Sequence, residues 1–149
     1  MIDERTAAAA ILGELIPELE YAAPVLLERL ERGRPLVERK SPSDLGFDTG
    51  MINAGLLDLF RVLAPYVTAA VGGGILGILY EREKKSREEI LAALTQMQAQ
   101  NVVMQQKMAE ILKVMPRIVK APVAESEVKD RIARAMERLA IERMAQEQR

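Results

Sequence analysis

Apolar residues recur along this chain at helical intervals, and nowhere in the alternation of a half-buried strand. Near the start, Ile11, Leu12, Leu15, Ile16 and Leu19 share one helix face. Pro17 and Pro24 divide residues 5–32 into two short helices, the second using Val25, Leu26, Leu27 and Leu30. Residues 1–32 thus read as a helical N-terminal segment. Gly33 and Pro35 close it, and residues 33–50 hold most of the turn chemistry, which predicts a linker. Asp48 or Thr49 is placed to cap a helix starting near Met51. That helix, residues 51–80, is almost wholly apolar. Asp58 and Arg61 are its charges, spaced three apart as a pair on one face requires.

The clearest periodicity comes at 81–118, where Ser86 is placed as a cap with Glu88 and Glu89 in the first turn. Ile90, Leu94, Met97, Asn101, Met104, Met108, Ile111, Met115 and Ile118 alternate spacings of four and three. This is a heptad stripe, and it predicts a parallel coiled-coil oligomerisation helix over about 87–115, ending where Pro116 disturbs the last turn. Asn101 occupies a seam position at which a single polar residue fixes register and oligomer state. A single amphipathic helix packed within its own chain would carry the same stripe. Residues 90–106 contain no charge but many Gln, Thr and Asn, so this segment is expected to face other protein or to line a polar lumen. Over 119–149 a break at 121–126 leads to a last amphipathic helix. Ser126 is its expected cap, and Val128, Ile132, Ala135, Met136, Leu139 and Met144 form its apolar face.

Val62–Tyr80 gives nineteen residues without a charge. As a helix they would extend ~28 Å, close to the hydrocarbon thickness of a bilayer. Tyr66 and Tyr80 lie toward the two ends, and Arg82, Lys84, Lys85 and Arg87 come next, a membrane-flanking arrangement. If the segment spans, the positive-inside rule puts the C-terminal part on the cytoplasmic side. The competing expectation is a helix buried in a soluble bundle. Within the segment Ala69, Gly73 and Gly77 are four apart, and Ala70 and Gly74 form a second pair. Such small-residue ladders let helices touch closely. Gly72 to Gly77 also matches G-x-G-x-x-G. A dinucleotide site would need flanking strands and an acid about twenty residues on, whereas Gln96 to Gln100 lie there in a heptad helix.

Composition narrows the function. The chain has 149 residues, no Cys, no His and no Trp, which removes disulfides, imidazole catalysis and most transition-metal sites. The acid-rich start is not a secretory signal. Net charge is −1, and from Glu125 to Arg149 six acids balance six bases, so no nucleic-acid surface is expected. No catalytic, cofactor or metal residues are assigned. The expectation is an all-α, non-enzymatic structural component of a homo-oligomeric, membrane-associated assembly, of virion or secretion type. Its partners would be copies of itself, a lipid bilayer and other proteins of that assembly. The alternative is a soluble helical adaptor or scaffold whose apolar helix is buried against partner subunits.

Overall fold

The computed structural model describes residues 3–32, 49–71 and 86–147. Every regular element among them is helical. Helix α1 spans Glu4–Leu15, and a 3-10 turn at Pro17–Leu19 leads to α2, Ala23–Glu31. Helix α3 is Thr49–Val71, α4 Arg87–Gln100, α5 Val102–Val119 and α6 Glu125–Glu147. Most of the expected linker, with Asp48, lies outside the described residues.

Local chemistry explains the boundaries. Asp3 starts α1 by accepting a hydrogen bond from the Thr6 amide at 2.7 Å. That bond, with help from the Thr6 hydroxyl, holds the Asp3 carboxyl below its ordinary range. Ser86 caps α4 through Glu89 N–H at 3.3 Å, with Glu88 and Glu89 in the first turn as the sequence suggests. Pro116 lies inside α5 without ending it. A proline removes its own hydrogen bond and crowds the carbonyl four residues back, yet the helix continues to Lys120, which turns left-handed at φ 56°. The Lys120 amide closes that end on the Pro116 carbonyl at 2.9 Å. The last helix begins at Glu125, just ahead of the expected cap Ser126.

The helices share one apolar core. Helix α3 packs along α5, while α6 packs on α1 and α4, and α1 also touches α2 and α3. Ala7, Ile11, Leu12 and Leu15 of α1 meet Leu56, Leu59, Leu63, Tyr66 and Ala70 of α3 in this core. Val128, Ile132, Ala133, Ala135, Met136 and Leu139 of α6 have no exposed surface at all. Gly55 sets how near α3 comes to α5, since a Cβ there would lie 3.1 Å from Ile118 Cγ1.

Charged side chains bind α6 to the N-terminal block. Arg131 Nη1 donates to the Leu15 carbonyl at 2.8 Å and faces the Glu14 carbonyl at 3.5 Å, while Nη2 reaches Glu127 at 2.6 Å. It thereby satisfies carbonyls left over at the end of α1. Arg138 pairs with Glu14 and reaches Glu20 at 3.6 Å.

Several expectations change here. Among the described residues no helix is long and apolar enough to cross a membrane. Residues 62–71 of the expected span form the end of α3, and Val62, Leu63, Tyr66, Val67 and Ala70 are buried in the chain's own core. Asp58 pairs with Arg117 of α5 at 3.7 Å rather than with Arg61. Val25, assigned to the apolar face of α2, is exposed, while Leu26 and Leu27 are buried. The continuous helix of the coiled-coil reading is broken in two at Asn101.

Candidate interaction surface at the Asn101 corner

The break at Asn101 is built by side chains. Its backbone is extended, at φ −125° and ψ 107°, and its Oδ1 accepts from the amides of Val103 at 3.0 Å and Met104 at 3.2 Å. Its own amide donates to the Gln98 carbonyl at 3.3 Å, closing α4. Gln105 Nε2 then reaches back to the Ala99 carbonyl at 3.1 Å. Asn is among the best N-caps because its short amide satisfies donors that the first turn leaves free. The residue expected to fix register in a seam instead turns the chain.

That corner reassigns the heptad stripe. In α4 the buried positions are Ile90, Leu94 and Gln98, four apart, while Met97 is half-buried and Asn101 exposed. In α5 they are Met104, Met108, Ile111, Val114 and Met115. The residues assigned to contacts between copies therefore lie mostly inside this chain, Ile90 and Leu94 on helix α4 against α6 and the methionine face of α5 against α3. A stripe facing its own chain gains the same burial as one facing a copy, so the period alone did not separate them.

Beneath the corner lies a buried polar relay that the heptad concealed. The Tyr66 side chain has no exposed surface, and its hydroxyl faces the Met104 carbonyl at 3.1 Å and Gln98 Oε1 at 3.3 Å. Gln98, only 8% exposed, donates from Nε2 to Glu125 at 2.9 Å. Three helices and the start of a fourth are thus tied through one hydroxyl and one amide. Burial raises the Tyr66 phenol well above its usual range, and the Glu125 carboxylate adds to the effect. Tyr66 is a core donor rather than an interfacial anchor. Its signal in the sequence is the run Ile90, Leu94, Gln98, in which a polar residue completes a four-residue spacing.

The outer side of the corner is a different surface. Val102 is 64% exposed and Val103 54% exposed, with Thr95, Gln96, Ala99, Gln100, Gln105 and Gln106 also facing out. No residue from 90 to 106 is charged, in a chain where 29% are.

Of the other assigned residues, Ala70 is buried and Ala69 partly so, whereas Gly73, Gly74 and Gly77 lie outside the described residues. Close approach at a glycine is seen instead at Gly55 and at Gly13. Arg87 opens α4 and pairs with Asp130 at 3.4 Å. Tyr80, Arg82, Lys84 and Lys85 lie outside the described residues. Among the described residues no group of three or more carboxylates is placed to hold a metal ion. Comparison with known protein families, with curated proteins and with solved structures finds no match to this chain.

Proposed function

We propose that this protein is a non-catalytic helical scaffold that works by self-association, with the Asn101 corner as the contact between copies. One observation carries the reading: two exposed valines stand at the corner of a stretch, residues 90–106, that carries no charge. In a two-fold contact the same patch meets itself. A charged patch would then repel its copy, whereas this one brings no like charges together. Its Gln and Asn amides both donate and accept, so they can pair with their own kind. The bilayer-anchored form of the reading draws less support, because the apolar face of α3 is occupied by α1 and α5.

The test is solution mass by light scattering over a concentration series, for the wild type and for a Val102→Glu, Val103→Glu double variant. Both side chains are exposed, so circular dichroism should report an unchanged fold. Covering four half-exposed valines contributes several kcal/mol, so the variant should dissociate at least ~100-fold more readily. A wild type that stays monomeric at millimolar concentration, or a variant of unchanged mass, would sink the proposal. Retention of the protein in membranes through alkaline carbonate extraction would favour the bilayer-anchored form instead.

A further inference from the structure

The Asn101 corner and the buried relay meet in one residue. The Gln98 carbonyl accepts the Asn101 amide at 3.3 Å and so closes α4, while the Gln98 side chain runs between Tyr66 and Glu125. One end of the relay is therefore in the core, and the other is at the surface. Glu125 is that outer end, an exposed residue in the first turn of α6. The break after α5 brings it there, with Lys120 left-handed and Pro122 unable to continue a helix.

A carboxylate only accepts hydrogen bonds, whereas a primary amide donates at one end and accepts at the other. Glu125 thus decides which way Gln98 points. Its oxygen accepts from Nε2 at 2.9 Å, which leaves Oε1 turned inward, 3.3 Å from the Tyr66 hydroxyl. Burial, and after it the Glu125 charge, holds the proton on that phenol. Donation runs in one direction, from the core through Gln98 to a surface charge. A donor at position 125 would require the amide to turn over, with Oε1 outward and Nε2 against the hydroxyl. Tyr66 would then have only the Met104 carbonyl, at 3.1 Å, to donate to.

Burial makes the choice consequential. Gln98 is 8% exposed, so an amide group that loses its partner there is poorly served by water. The looseness passes to the backbone that closes α4 beneath Val102 and Val103. In a two-fold contact both copies must hold the bend at once, so a change at one residue counts twice.

We propose that Glu125 is a positioning residue for self-association: through Gln98 it holds the Asn101 corner in the shape that meets a second copy. This role rests on the corner being the contact between copies.

The Pro17–Leu19 turn between α1 and α2 supplies a control. This knuckle leaves Tyr21 and Val25 exposed. Its own backbone holds it, through Leu19 N–H to the Ile16 carbonyl at 2.8 Å and Ala22 N–H to the Leu19 carbonyl at 3.1 Å.

The test is light scattering over a concentration series on the full chain, with amide exchange read in dilute samples. Glu125→Ala should weaken self-association about tenfold. Exchange should quicken at Asn101 and Val103 and stay unchanged at Leu19 and Ala22. Glu125→Gln keeps an oxygen that accepts from Gln98, so its association should stay within about twofold of wild type. Glu125→Lys offers only donors and should weaken association at least as much as alanine. In a Gln98→Met background Glu125→Ala should have no further effect, because the path is already cut. Association unchanged in Glu125→Ala, or lost equally in Glu125→Gln, would overturn the inference. Equal quickening at the knuckle would overturn a specific path to the corner. A wild type that stays monomeric at millimolar concentration would overturn the contact itself and this role with it, whereas strong association that ignores Glu125 would overturn the role alone.

Discussion

The Asn101 corner and the Pro17 knuckle are both places where a helix stops, the chain bends and two apolar side chains are left facing out. They are built by opposite means. At the corner the side chains of Asn101 and Gln105 satisfy the loose helix ends, and a buried relay from Tyr66 through Gln98 to Glu125 supports them from below. At the knuckle the backbone bonds to itself, and the support comes from arginines of α6. The corner is uncharged over residues 90–106, whereas residues 6–28 carry only acids. The first bend is free of charge along its own chain, whereas at the second Glu14 and Glu20 are met by Arg138.

The strongest way to break this contrast is from beneath the corner. Tyr66→Phe removes the hydroxyl that serves the Met104 carbonyl and Gln98, and should cost about 1–3 kcal/mol of folding free energy in urea denaturation. Hydrogen exchange should quicken at the Val103 and Met104 amides but not at Leu19 or Ala22. Equal quickening at both bends would mean they are not separately supported. The same variant carries a pH signature. The phenol keeps its proton in the folded state above pH ~10, where the unfolded chain releases it. The Tyr66 contribution is therefore whole below that pH and shrinks as pH rises past it. The stability gap between wild type and Tyr66→Phe should hold up to about pH 10 and narrow progressively above it.

A smaller effect compares the two ways of stopping a helix. Asn101→Ala should destabilise by about 1 kcal/mol, because two amides lose their acceptor. Pro17→Ala should change stability by only about 0.5 kcal/mol, since the turn is held by backbone bonds that alanine leaves in place. Thermal melts of equal depression would show that the corner depends on its side chain no more than the knuckle does. The smallest effect sharpens the contrast in charge. Raising sodium chloride from ~0.05 M to ~0.5 M should change self-association at the corner by less than about twofold. A larger salt response would show that charge takes part in the contact at the corner.

The all-helical architecture is readable from the spacing of apolar residues, and so are the Pro17 interruption and the Ser86 cap, whereas Pro24 sits in the first turn of α2 rather than breaking the chain. The faces of α1 and α6 are also nearly complete in the sequence, because each is a simple three-four stripe. What fails is the partner of each stripe. Leu94 and Met108 would be equally buried against their own chain or against a copy, and periodicity records burial without naming the neighbour. Asn101 fails for a related reason, since the same amide that marks register within a seam is also a strong N-cap. Residues 62–71 look lipid-facing because they lack charge, but a helix surrounded by protein lacks charge for the same reason. The Val102 and Val103 surface sits in the stretch whose missing charges pointed to other protein, although its bent shape was not legible. The support of the knuckle went unread, because it depends on α6 returning to the N-terminal block from far along the chain.

Tyr66 and Tyr21 also contribute differently to the protein's optical properties. The chain has three tyrosines and no tryptophan. A ring locked among asymmetric neighbours, as Tyr66 is, contributes to near-ultraviolet circular dichroism, and that signal vanishes when the core opens. Tyr21 stands in water, where a dissolved quencher reaches it freely. Unfolding of the core can thus be followed in one ring of the unlabelled protein, with the other as an exposed reference.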